Sequence, residues 1–162
     1  MIEIVEKKDM STITNEMRIE FAAVSDNESF ARLAVAAFIT PLNPTLEELS
    51  DVKTAVSEAV TNAVIHGYEN RNDLGDKVQM NCMLRGDVLE VEIVDQGVGI
   101  ENVKMAMEPL YTSKPELDRS GMGFAFMEAF MDNLEVYSES GCGTSVKMYK
   151  KIGISHWIDS EE

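Results

Sequence analysis

Two strand-like runs, KVQMNCMLR (residues 77–85) and VLEVEIVD (residues 88–95), are separated by only Gly86 and Asp87. A two-residue connection containing glycine is a hairpin turn signal. Strands joined this tightly lie side by side and antiparallel, because parallel neighbours need a crossover of about a dozen residues or more. The pair therefore argues against a sheet built from repeated βαβ units. A second hairpin is expected near the end, where LEVYSES (134–140) and TSVKMYK (144–150) flank Gly141-Cys142-Gly143.

The other elements fit around these hairpins. EMRIEFAAV (16–24) alternates Met17, Ile19 and Phe21 with polar neighbours, the pattern of a half-buried strand. Ser25 with Glu28 reads as a capping box for a helix to about Phe38, stopped by Thr40-Pro41. Thr45 with Glu48 reads as a second, opening a helix to His66 with Gly67 as its C-terminal stop. Loop follows Asp95 through about Ser120, and GFAFMEAFMD (123–132) predicts a short helix. The order predicts an α+β two-layer sandwich: a mixed, mostly antiparallel sheet with helices on one face. Residues 1–15 are expected to be an N-terminal extension, 16–152 one domain, and 153–162 a C-terminal tail.

With 162 residues, one domain of ordinary size is expected. The 29 acidic against 14 basic residues give a net charge of −15. Such a surface repels phosphate backbones and anionic lipid, so neither nucleic acid nor membrane is expected as a direct partner. Backbone N–H groups still hold phosphate locally whatever the net charge. The two cysteines, Cys82 and Cys142, are expected to be free, buried thiols of a cytoplasmic protein, and with His66 and His156 they offer no metal-ligand spacing.

Two features carry chemistry. Glu58, Asn62 and His66 recur every four residues on the long helix, so they line one face of an otherwise Ala- and Val-rich segment. Three glycine pairs follow: Gly97/Gly99 after Asp95, Gly121/Gly123 before a helix, and Gly141/Gly143 in the last hairpin. Each leaves backbone unscreened, where a flat ring or a phosphate can approach, although any one pair is equally a plain turn. Neither GxxxxGK[ST] nor GxGxxG is present, so a nucleotide would need a different cradle.

SEAVTNAVIHGY (57–68), DQGVGI (95–100), RSGMGF (119–124) and GCGT (141–144) resemble the N, G1, G2 and G3 boxes of the ATP-binding superfamily of gyrase, Hsp90, histidine kinases and MutL. Together with NESFAR, PLYTSKPELDRSGMGF and MEAFMD, they are similar to the anti-sigma F factors of endospore-forming bacteria, which are serine protein kinases. The likeness covers about Glu16 to Lys151. It implies a Bergerat-type fold and a histidine-kinase-like ATP-binding kinase domain that uses ATP, yields ADP and requires Mg²⁺. The implied partners are a sporulation sigma factor, which it inhibits, and an anti-anti-sigma protein, which it phosphorylates on serine; the implied assembly is a homodimer.

The same resemblance assigns residues. Glu58 would be the general base and Asn62 the Mg²⁺ ligand; as bare sequence, both could be a solvated helix face. Asp95 would read the adenine amine, with Gly97 and Gly99 against the ring and Thr144 supporting the contact. Asp95 could otherwise be a strand-end turn former, and Thr144 an ordinary hairpin residue. Residues 101–120 would be the ATP lid, with Arg119 on the γ-phosphate and the N–H groups of Gly121, Met122 and Gly123 on the phosphates. Lys114 is either a further lid contact or solvated, and His66 is read as a helix-end residue outside the chemistry. Arg32 resembles the family's partner-docking arginine, or is an ordinary surface charge. Other functions weighed are a kinase for a stress-response sigma factor, a stand-alone ATPase of the gyrase or Hsp90 type, and a nucleotide-gated binding module without catalysis.

Overall fold

A computed structural model describes residues 12–108 and 122–153 of the chain. Its strands are β1 (Asn15–Ala22), β2 (Lys77–Arg85), β3 (Val88–Asp95), β4 (Asn133–Ser138) and β5 (Thr144–Lys151). They form one sheet in the order β1-β2-β3-β5-β4. All four neighbouring pairs are antiparallel, which bears out the expected sheet and makes it more uniform than a mixed one. Gly86, at φ 60°, closes the β2–β3 turn and fixes a register that runs from Arg85 opposite Val88 to Val78 opposite Asp95. β5 enters between β3 and β4, so it completes the middle of the sheet.

Strand parity decides what faces inward. Val78, Met80, Cys82 and Leu84 of β2, and Leu89, Val91 and Ile93 of β3, are buried on one face. Asp95 continues that parity, so a carboxylate sits where the pattern calls for an apolar residue. The opposite face is polar. Arg18 donates to Asn81 at 3.1 Å, Asn81 to Glu92 at 3.1 Å and Ser145 to Glu92 at 2.7 Å, a row crossing β1, β2, β3 and β5.

Helices cover the apolar face. They are α1 (Asn27–Ile39), α2 (Leu46–Asn62), the single turn α3 (Val103–Ala106) and α4 (Gly123–Phe130), so the stretch expected as loop after Asp95 carries one helical turn. On α2, Val52, Ala55, Val56, Ala59 and Val60 form the buried stripe, at the spacing of one helix face. Fully burying each of these valines contributes about 1.5–3 kcal/mol as an upper estimate. The capping box at the start of α2 is formed: the Glu48 N–H donates to Thr45 Oγ1 at 3.1 Å and the Thr45 N–H to Glu48 Oε1 at 3.2 Å. Glu48 also accepts from the Gly153 N–H at 2.5 Å, tying the end of the described chain to the start of this helix.

Three local expectations are corrected. Ser25 and Glu28 do not form a capping box: Asp26 is the N-cap, with helical φ and ψ and no side-chain cap bond. The Glu28 carboxylate instead accepts from Arg32 at 3.0 Å and from Thr61 of α2 at 3.3 Å. Gly67 does not stop the long helix by a left-handed turn. The helix widens into a π turn over Ala63–Gly67, closed by the Tyr68 N–H on the Ala63 carbonyl at 2.9 Å, and the left-handed residues are Glu69 and Asn70. Both cysteines are free, but only Cys82 is buried, its thiol pushed up to about 12 by burial; Cys142 is exposed. Among the described residues no helix is long and apolar enough to cross a membrane.

Candidate functional site

A cleft of about 380 Å³ opens between α2, the ends of β3 and β5, and α4. Its size suits a small-molecule ligand. Ala59, Asn62, Ala63 and His66 line its helical wall, at the spacing of one helix face. Glu58, one turn before Asn62, does not line the cleft but comes with Asn62 to the same point beside Gly123. Apolar Ile93, Val146 and Ile100 add flat walls, and Asp95 and Thr144 put polar atoms at the sheet end.

Asp95 is held by backbone. Its carboxylate accepts from the Gly97 N–H at 2.9 Å and from the Thr144 N–H. Burial, with only 5% of the residue exposed, pushes its pKa from 3.8 up to about 6, against the lowering by those two bonds. Above that pH the side chain is an acceptor only, able to take an amine N–H of a ligand.

The glycines serve a purpose that the sequence did not announce. A β-carbon at Gly97 would stand 2.0 Å from the Gly67 carbonyl oxygen, and one at Gly99 2.0 Å from that of Glu139. One at Gly143 would stand 2.1 Å from the Asp95 carbonyl oxygen. One at Gly67 would press on the Asp95 carboxylate at 2.8 Å. Gly97, Gly99 and Gly143 are bare because segments of backbone cross there, and Gly67 because the Asp95 carboxylate packs against it. The crossings are hydrogen-bonded: Val98 N–H to Gly67 O at 2.9 Å and Gly141 N–H to Val98 O at 2.6 Å. Gly99 also lines the cleft, while Gly97 is spent on the crossing with Gly67.

At the other end, the start of α4 meets α2. A β-carbon at Gly123 would lie 3.1 Å from Asn62 Oδ1, 3.2 Å from Asn62 Nδ2 and 3.4 Å from Glu58 Oε2. A carboxylate, an amide oxygen and a helix N-terminus thus converge, with Met122 as the N-cap residue. Helix N-termini favour anions, and an amide oxygen is a hard donor suited to Mg²⁺. The residues fit a metal-bound phosphate chain, since glycine leaves open the space where any side chain would crowd Asn62.

The remaining predicted residues are dispersed. Arg119, Gly121 and Lys114 lie outside the described residues. Arg32 is on α1, away from the cleft wall, half-exposed and paired with Glu28 at 3.0 Å; it also reaches Ser57 of α2 at 3.5 Å. His66, read from sequence as outside the chemistry, is on the cleft wall.

Two supporting residues escaped the sequence reading. The Tyr68 hydroxyl donates to the Lys77 carbonyl at 2.6 Å and accepts from the Gln96 N–H at 2.7 Å, pinning the residue after Asp95 to the start of β2. The Ser138 hydroxyl joins Ile100, Gly143 and Thr144. Tyr68 closes the motif SEAVTNAVIHGY, but nothing in the motif announced its hydroxyl's role; Ser138 has no motif signal at all, and both act between segments far apart in the chain.

The chain matches the histidine kinase-like ATPase domain over residues 21–150. It is 57% identical over 140 residues to the anti-sigma F factor of Clostridium beijerinckii, covering 86% of this chain and 96% of that protein. It is 59% identical to that of Clostridium kluyveri over 136 residues, or 84% and 94% of the two chains. To that of Oceanobacillus iheyensis it is 57% identical over 144 residues, or 89% and 97%. A solved structure of the RsbU and RsbW domains of a Mycobacterium tuberculosis protein superposes with a TM-score of 0.61 at 17% identity, over 86% of this chain and 33% of that longer one. That likeness extends to the fold.

Proposed function

The chain belongs to the histidine kinase-like ATPase domain family and, within it, to the anti-sigma F factors, and from that premise we propose that it is an ATP-dependent serine protein kinase. It binds and inhibits a sporulation sigma factor and phosphorylates a serine of an anti-anti-sigma protein. It works as a homodimer in the cytoplasm.

One observation carries this reading: the convergence of Glu58, Asn62 and the bare Gly123 at the start of α4. Asn62 would hold Mg²⁺ by its side-chain oxygen, and the ion would neutralise charge on the phosphates. Glu58 accepts the proton of the serine hydroxyl as its oxygen attacks the γ-phosphorus, the bond to the β-phosphate oxygen breaks, and ADP leaves. Asp95 takes the adenine amine at the sheet end of the cleft. Gly121, Met122 and Gly123 offer backbone N–H groups to the phosphates, with Arg119 on the γ-phosphate. Arg32 contributes to the partner surface.

The test mixes purified protein with γ-labelled ATP, Mg²⁺ and the candidate anti-anti-sigma protein. The expected product is phosphoserine on the substrate, lost in Glu58→Ala while ATP still binds. Label on His66, or free phosphate released at the same rate without substrate, would overturn the kinase reading, and the latter would favour an ATPase.

A further inference from the structure

We infer that Ser138 sets the hydrogen-bonding direction of Thr144 toward the purine and thereby extends the preference for adenine over 6-oxopurines. The inference rests on the proposed reading that the base lies at the Asp95 end of the cleft.

Ser138 ends β4, and its Oγ makes three short contacts. The Ile100 N–H reaches it at 2.7 Å, it reaches the Gly143 carbonyl at 2.8 Å, and Thr144 Oγ1 stands 2.8 Å away. The third contact alone leaves open which oxygen donates, but the other two decide it. An N–H can only donate and a carbonyl can only accept, while a serine hydroxyl has one proton and two lone pairs. Its proton goes to Gly143, whose buried carbonyl calls for a partner. One lone pair takes the Ile100 N–H, and the other must take the proton of Thr144. All the hydrogen-bonding capacity of Ser138 is then used, and the proton of Thr144 is directed away from the cleft.

Thr144 itself lines the cleft. With its proton committed behind it, Thr144 shows the ligand only lone pairs. Asp95, its neighbour across β3 and β5, is likewise an acceptor. The sheet end of the cleft is therefore built from acceptors. Adenine meets it with an exocyclic amine that carries two donors; a 6-oxopurine meets it with an acceptor oxygen, and an acceptor facing an acceptor is left unpaired. Ser138 touches neither base in this scheme. It is a positioning residue, acting through Thr144.

The experiment compares dissociation constants for ATP and inosine triphosphate by calorimetry, in the wild type, Ser138→Ala, Thr144→Val and the double variant. Wild type should prefer ATP. Ser138→Ala frees the Thr144 hydroxyl to donate into the cleft, so that preference should fall by about fivefold, the weight of one net hydrogen bond. Ser138→Thr, which keeps a hydroxyl, should restore it. In the Thr144→Val background, Ser138→Ala should leave the preference unchanged, because the group it acts through is gone. A merely structural role would weaken both nucleotides alike. An unchanged preference in Ser138→Ala, or an equal change with and without Thr144, overturns the inference. If Ser138→Ala does not fold, Thr144→Val against wild type carries the same comparison, and an unchanged preference there overturns it too. A wild type that binds both nucleotides equally would instead sink the reading of where the base lies.

Discussion

Replacing Asp95 by asparagine keeps the shape of the side chain and removes its charge. In the wild type that charge is expensive, because burial raises the pKa from 3.8 to about 6. With 5% of the residue exposed, solvent screening offers little relief. Between those two values the unfolded chain has lost its proton while the folded chain still holds it, so the folded state binds more protons and unfolding becomes easier as pH rises. A gap of about two units corresponds to about 3 kcal/mol when the window has been crossed. About half of that is felt between roughly pH 5 and pH 7.5, so the stability of Asp95→Asn relative to wild type should grow by about 1.5 kcal/mol over this interval. Urea unfolding of both proteins at the two pH values measures it, and the other acidic groups cancel in the difference. The absolute gain is smaller than the full charge penalty. Asparagine has one acceptor oxygen for two N–H groups, from Gly97 and Thr144. The same variant should lose the rise in melting temperature that ATP gives the wild type. Parallel pH profiles would refute the claim that burial disfavours this charge.

Tyr68→Phe removes the hydroxyl that joins Gln96 to Lys77 and breaks two part-buried hydrogen bonds, which should cost roughly 0.5–1.5 kcal/mol by chemical denaturation. ATP affinity should fall with it, since Gln96 follows Asp95. Gly123→Ala places a methyl group 3.1 Å from Asn62 Oδ1. Stability should hardly change, whereas Mg²⁺-dependent ATP binding measured by calorimetry should weaken at least roughly tenfold, as for loss of one charge-assisted contact.

The parts of this fold that were readable in the sequence are local. The β2–β3 hairpin follows from a two-residue turn, and the start of α2 from a reciprocal pair of side chains three residues apart. What could not be read is set by segments far apart in the chain. The first capping box failed because Glu28 is drawn to Arg32 and to Thr61 on another helix. Gly67 looked like a helix stop, but its bareness answers to Asp95, and that of Gly97 answers to Gly67. Asp95 itself was legible as an acceptor ending a strand, while its burial depends on inward parity and on β5 closing beside it. Ser138 and Tyr68 were silent for the same reason, since their bonds link residues up to 38 positions apart.

The place of β5 in the sheet has a consequence for how the protein comes to exist. Asp95 and Thr144 are register partners on β3 and β5, and β5 comes last in the chain although it sits inside the sheet between β3 and β4. Until β5 pairs, β3 presents an unpaired edge and the carboxylate lacks one of its two N–H donors, a state open to mispairing with other chains. Contacts of such long sequence separation form slowly. A nascent chain emerging from the ribosome would carry the whole α2 helix and still lack the strand that closes the Asp95 end of the cleft. A ligand held at that end can stabilise only those molecules in which β5 has slotted in beside β3, so its binding reports that the sheet is complete.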